Sequence, residues 1–245
     1  MGQVGSSAVR PLRGSVARIV AETEYGRFVQ LLDDLSPSEW GLPTDCELWD
    51  VRLLVAHVLG ATEANASPVE MLRQLRRGRT GLSVGVDEVS AVQVAERSSL
   101  TPAELVDRLR AAADRAVRLR LATARWAGLL PVPVGAPVNE LWRVRYLMEV
   151  IYTRDVWMHR VDVARATGRP LMLTPDHDRV IVADIATDWA RRHGHAYRLT
   201  LTGPAGGEFA AGADGDDLVM DAVEFCRTVS GRRPGAGLFA VSVPF

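Results

Sequence analysis

Between Ser15 and Thr167 the chain is built from long segments whose apolar residues recur at helical spacing, separated by proline, glycine and serine clusters. The first runs from Ser15 to about Leu35, with Val16, Ile19, Val20, Phe28, Leu31 and Leu32 on its apolar side. Ser36 to Thr44 is turn chemistry. A second helix is expected from Asp50, a good N-cap, through His57 to about Ala66. Arg73 to Gly85, basic and glycine-containing, reads as a surface loop. Thr101, Pro102 and Glu104 supply an N-cap, an N1 proline and a capping-box glutamate for a third helix reaching about Ala124. After Pro131, Pro133 and Pro137, a fourth helix is expected over Asn139 to Thr167, stopped by Gly168 and Pro170. Four long helices in succession are the elements of a helical bundle.

Beyond Thr167 the pattern changes. Thr174-Pro175 opens one more helix, ending near His193-Gly194. Tyr197 to Thr202, Glu208 to Ala211 and Leu218 to Met220 alternate as short strands, with a hairpin-like turn at 203–207. Asp221 to Val229 reads as a short helix, and Leu238 to Val243 as a last strand. The expected layout is a helical domain over 15–171 and a small α+β domain over 172–245. The expected fold class is therefore mainly α with α+β.

Charge and residue usage exclude several functions. The formal net charge is -1 and the pI about 6.5, which argues against a general electrostatic grip on nucleic acid or an anionic membrane. No stretch approaches the ~18 to 20 apolar residues of a membrane span. Met1 to Gly14 has two arginines and no apolar core, so no secretory signal is read there. All 29 basic residues are arginine, which removes Schiff-base chemistry and a lysine general base. Cys46 and Cys226 are far apart in sequence and form no C-x-x-C pair, which fits a reducing, cytoplasmic setting.

The fourth segment carries the chemistry. Met148, Tyr152, Asp155, His159, Asp162 and Ala166 fall on one helical face, and Asp155 and His159 are one turn apart. On the second segment His57 lies among Val55, Ala56, Val58 and Leu59. Buried polar groups must be paired. Two histidines and a carboxylate converging from two helices suit a divalent metal, and three protein ligands leave a position for water or substrate. By itself the same spacing also describes a satisfied core histidine and an intrahelical Asp–His hydrogen bond. Cys46, in an expected loop, reads as packing rather than as a nucleophile. His193 and His195 read as a cationic helix end, and His177 as part of an exposed helix start. Arg73, Arg76, Arg77 and Arg79 read as a solvated basic face.

The run from Leu42 to Gly60, with Pro43-Thr44, Cys46, Trp49, Val51-Arg52 and Ala56-His57, resembles a signature of the DinB-like, mycothiol-dependent maleylpyruvate isomerase family. Arg154-Asp155-Val156-Trp157-Met158-His159, with Asp162 and then Gly168-Arg169-Pro170, is similar to its second signature. Asp221 to Arg232 resembles its C-terminal domain. The resemblance implies a DinB-like four-helix bundle followed by a small SCP2-like α+β domain. It implies a zinc-type divalent ion held by His57, Asp155 and His159, with Asp155 standing where the family's isomerase has glutamate. It also implies mycothiol as thiol cosubstrate and a catalytic arginine from the C-terminal part, Arg232 first and Arg227 second. The activity implied is a metal-dependent isomerase or thiol S-transferase acting on a small, electrophilic, carboxylated molecule. The alternatives are a non-enzymatic binder of a small molecule or thiol, and a purely structural zinc site.

Overall fold

The computed structural model describes residues 11–80 and 83–245. Residues 1 to 13 read from sequence as a loose terminus, and residues 1–10 of them lie outside the described residues. The chain divides into two compact units, one spanning Arg13–Leu171 and the other containing Met172–Phe245.

The larger unit is helical. Its long helices are α1 (Gly14–Asp33), α2 (Val51–Ala66), α5 (Pro102–Ala127) and α7 (Tyr152–Thr167). Three of them begin or end as their local sequence directs. The Asp50 carboxylate accepts from Leu53 N at the start of α2. Thr101 and Glu104 form the capping box of α5, with Pro102 in its first turn. Gly168, at φ 68°, supplies the left-handed residue that terminates α7. The core is made of Phe28 and Leu32 from α1, Leu54 and Val58 from α2, and Leu105 and Leu109 from α5, all buried. Removing each such side chain from water contributes roughly 1.5–3 kcal/mol. α2 packs most extensively on α5, and α1 lies against α5 and α7. Within this ring α2 and α7 touch each other least.

Two expectations fail in this unit. Residues 73–77 are not loop but the end of a helix, α3 (Pro68–Arg77), capped by the Ser67 hydroxyl and followed by the two-residue strands β1 (Arg79–Thr80) and β2 (Ser83–Val84). A further helix, α4 (Val86–Arg97), then packs on α2. The side chains these helices bury are polar, Gln74 on α3 and Ser90, Gln93 and Arg97 on α4. Gln74 donates to Gly60 O at 3.0 Å, Gln93 donates to Gln74 at 2.9 Å, and Arg97 pairs with Glu63 at 2.6 Å. Gly60 permits the approach, since a Cβ there would lie 2.5 Å from the Gln93 Cβ. Within the basic run, Arg73 bridges Glu70 and Glu96, and Arg77 pairs with Glu96.

The fourth helix also begins later than expected. Glu140–Arg143 is strand β4, antiparallel to β3 (Pro131–Val134), with Val132 opposite Trp142. Asn139 adopts φ 52°, and the alternation that buries Trp142 but exposes Leu141 belongs to a strand. Helix resumes with a single turn, α6 (Val144–Tyr146). A π-helical turn over Leu147–Ile151 leads directly into α7.

In the smaller unit, α8 (Asp178–His193) precedes a three-stranded sheet of order β6-β5-β7, and α9 (Ala222–Val229) follows it. β5 (Tyr197–Thr202) is antiparallel to β6 (Gly207–Ala211) and parallel to β7 (Asp216–Asp221). Tyr197, Leu199 and Leu201 point to the buried face at alternate positions. Trp189 centres an aromatic cluster with Tyr197, Phe225 and Phe239. The last strand expected over 238–243 is instead a short 3-10 turn, Gly237–Ala240. Phe239 packs on Trp189, and Leu238 O accepts from the Trp189 indole, so this segment caps the cluster rather than extending the sheet. His177, expected exposed, is buried.

Candidate metal centre

α2 and α7 bring the three candidate ligands together. His57 is on the second turn of α2; Asp155 and His159 are one turn apart on α7. His57 Nε2 lies 3.6 Å from Asp155 Oδ1, and His159 Nε2 lies 3.3 Å from the same oxygen. The donor atoms of all three lie within 4.8 Å of one another. Donors at ~2.0–2.2 Å around one tetrahedral ion are roughly 3.3–3.6 Å apart, whereas a direct N–H···O bond is about 2.9 Å. The Nε2–carboxylate separations therefore have the spacing of ligands around a cation. Both histidines are buried and Asp155 is half-buried.

The other side of His159 has different geometry. Its Nδ1 is 3.0 Å from Asp162 Oδ2, an ordinary hydrogen bond, and Asp162 is fully buried. Neutral His159 donating there presents Nε2 as a lone-pair ligand. Cys46 Sγ donates to the same Asp162 oxygen at 3.7 Å. His57 has no matching anchor: its Nδ1 is buried without a hydrogen-bond partner, and the Trp49 ring stacks on the imidazole at 4.9 Å and 28°.

The electrostatics reflect this crowding. Burial alone would raise the Asp155 pKa, but the His159 charge and the two imidazole nitrogens facing its carboxylate hold it well below the usual carboxylate range. Burial works against protonated His159, yet Asp155, Asp162 and Cys46 outweigh it and hold its pKa well above the ordinary histidine value. Imidazole nitrogens and a carboxylate, so spaced, fit a divalent metal.

Other sequence candidates are placed differently. Arg227, on α9, gives its Nη1 to both Glu224 oxygens at 2.9 and 2.8 Å. Arg232 follows the helix, its backbone N donating to Arg227 O. His193 and His195 stack at 6.0 Å, and His193 Nδ1 accepts from His195 N. Trp157 is fully buried. Two residues beside the trio carry no site role in the sequence reading: Cys46 reads there as packing, and Trp49, with the other tryptophans, as core or pocket wall. Asp162 was placed on the ligand face but given no task, although an Asp three residues after a ligating His was a usable signal.

The family model described as the mycothiol maleylpyruvate isomerase N-terminal domain matches residues 21–164. Two solved structures of mycothiol-dependent maleylpyruvate isomerase, one a histidine-to-alanine variant, align with 91% of this chain and 90% of theirs. Their TM-score is 0.59 at 19% identity, a likeness of fold. No curated protein matches the chain. From residue 21 to residue 164, across both ligand-bearing helices, the chain belongs to the mycothiol maleylpyruvate isomerase N-terminal domain family.

Proposed function

We propose that this protein is a metal-dependent enzyme that uses a low-molecular-weight thiol, mycothiol, to isomerise or S-conjugate a small electrophilic carboxylate. The observation that carries the reading is the cation-like spacing of 3.3 and 3.6 Å between Asp155 and the two imidazoles. The family and the two similar isomerase structures supply the thiol and the reaction class. His57, Asp155 and His159 would hold the ion. A divalent ion with an open position supplies acidification of a bound thiol, so that thiolate is present near neutral pH.

The chain's own residues have distinct tasks. Asp162 fixes the His159 tautomer, and Trp49 packs the His57 ring against rotation. Arg232, with Arg227 second, is assigned to the substrate carboxylate, for which a guanidinium fork is suited. On a cis-enoyl diacid, thiolate addition makes the former double bond rotatable, and elimination returns the thiol with the trans product. Retention of the adduct would make the same chemistry an S-conjugation. The helical part, 15–171, is proposed as the metal-binding domain and 172–245 as the accessory domain.

The test is metal analysis of purified protein alongside turnover of maleylpyruvate with mycothiol. Wild type is expected to hold one divalent ion per chain and to turn over only with thiol. His57→Ala and His159→Ala are expected to lose the ion and at least a hundredfold in rate. Full metal retention by both variants overturns the site.

A further inference from the structure

Every residue from Val150 to Ala164 is buried except Tyr152 and Asp155. These two share a helical face and lie one turn apart, so solvent meets α7 at one spot. Asp155 is the candidate ligand, and the Tyr152 phenol therefore stands on the open side of the metal centre. Tyr152 is the first residue of α7, directly after the π-helical turn, a rare geometry frequent at functional sites. On α2, His57, Ala61 and Asn65 follow one another at four-residue spacing along one face. Asn65 is bonded to Tyr152, so the two polar stripes meet beyond the ligands as well as at them.

The direction of that bond is fixed by its surroundings. Asn65 donates Nδ2 to Ala61 O at 2.9 Å, while its Oδ1 accepts nothing. The bond to Tyr152 therefore also comes from Nδ2, and the phenol oxygen accepts it. That leaves the phenol hydrogen to be given elsewhere. Tyr25, the other phenol in this interior, is buried and already shares a hydrogen bond with the Thr62 hydroxyl at 3.0 Å. A phenol, with an ordinary pKa of about 10, keeps its proton at neutral pH. Burial pushes that of Tyr152 further up. A half-buried, oriented donor beside Asp155 suits a substrate oxygen that gains charge during the reaction.

We propose that Tyr152 is a further catalytic residue, donating its phenol hydrogen bond to the substrate oxygen that gathers negative charge, with Asn65 as its positioning residue. The inference rests on the thiol-addition reading above. When thiolate adds to a cis-enoyl acid, a carbon–sulfur bond forms and the π pair moves onto the conjugated carbonyl oxygen as an enolate. The former double bond then rotates. The enolate pair returns to carbon, the carbon–sulfur bond breaks, and thiolate leaves with the trans isomer. No proton is consumed, so Tyr152 has only to donate a hydrogen bond, which is stronger to the enolate than to the neutral carbonyl.

The test uses the metal-loaded full chain with maleylpyruvate and mycothiol. Tyr152→Phe is expected to lower kcat about a hundredfold, the cost of one such donor, with the KM for mycothiol and the metal content unchanged. Asn65→Leu is expected to lower kcat about tenfold in the wild-type chain and to add nothing in the Tyr152→Phe chain, because it acts through the phenol. A second readout needs no turnover. Maleate is titrated without thiol into protein whose four tyrosines carry a nuclear label at Cζ. The signal missing from Tyr152→Phe is expected to move saturably while those of Tyr25, Tyr146 and Tyr197 stay. A Tyr152→Phe kcat within about threefold of wild type, or a Tyr152 signal unmoved by maleate, would overturn the catalytic role and leave the metal and thiol reading standing. An equal cost of Asn65→Leu in both chains would overturn its positioning role. Absence of turnover by the wild type would overturn the thiol reading itself, and this role with it.

Discussion

At the residue scale, the two histidines are held by different physics. His159 is anchored through Nδ1 by a fully buried carboxylate, while His57 is held by the indole face of Trp49 and leaves its Nδ1 unpaired. Partners behind a metal-ligating histidine typically contribute 10–100-fold in metal affinity. Asp162→Asn keeps an acceptor but loses the charge, so it is expected to weaken zinc binding by about tenfold, at the lower end of that range. Competition with a zinc-sensitive chelator, with circular dichroism as the folding control, measures it. Unchanged affinity would reduce Asp162 to a packing residue. The sequence already placed Asp155, His159 and Asp162 on one face, because an α-helix maps spacing onto direction. It held no comparable signal for Trp49, which sits in an irregular segment where spacing does not encode direction.

At the element scale, two ion pairs tie the bundle in opposite regimes. Glu24 on α1 and Arg160 on α7 are both buried and meet at 2.5 Å. Glu24→Ala breaks this buried, charge-assisted pair and is expected to cost about 1.5–3 kcal/mol in urea unfolding. Glu39, in the 3-10 turn after α1, bonds Arg169 just past α7 at 2.8 and 2.7 Å. Arg169, then the Ser36 hydroxyl and backbone, hold its pKa at about 2, against an ordinary 4.5. A lowered folded pKa means the stabilisation is complete above pH 4.5 and is lost as pH falls towards 2. The stability gap between wild type and Glu39→Gln should therefore narrow over that window, and shrink in high salt because the pair is solvated. A gap constant with pH would rule the pair out. The elements misread from sequence share a cause. α3 and α4 are secured by Gln–Gln and Arg–Glu contacts rather than an apolar stripe, and β4 is too short for its period to stand out before a helix.

At the scale of the whole molecule, the helical core does not depend on the candidate ion. Phe28, Leu32, Leu54, Leu105 and Leu109 are buried without any part in the trio. Chelation is therefore expected to leave the far-ultraviolet dichroism intact while abolishing activity. Restoring zinc at 100 times its dissociation constant should add about 2.7 kcal/mol of stability by mass action. Unfolding on chelation would instead mark a structural zinc site. No helix among the described residues is long and apolar enough to cross a membrane.

Amino-acid order alone determined that there are four long helices, the N-caps of α2 and α5, the glycine stop of α7, the three paired strands and the common face of Asp155, His159 and Asp162, because these follow from local propensity and periodicity. Only tertiary structure decided that His57 meets that face at metal-ligand spacing, that Trp49 and Cys46 close around it, and that Asn65 meets the Tyr152 phenol. Those relations join residues distant in sequence, and their distances are set by how helices pack, which no local pattern encodes.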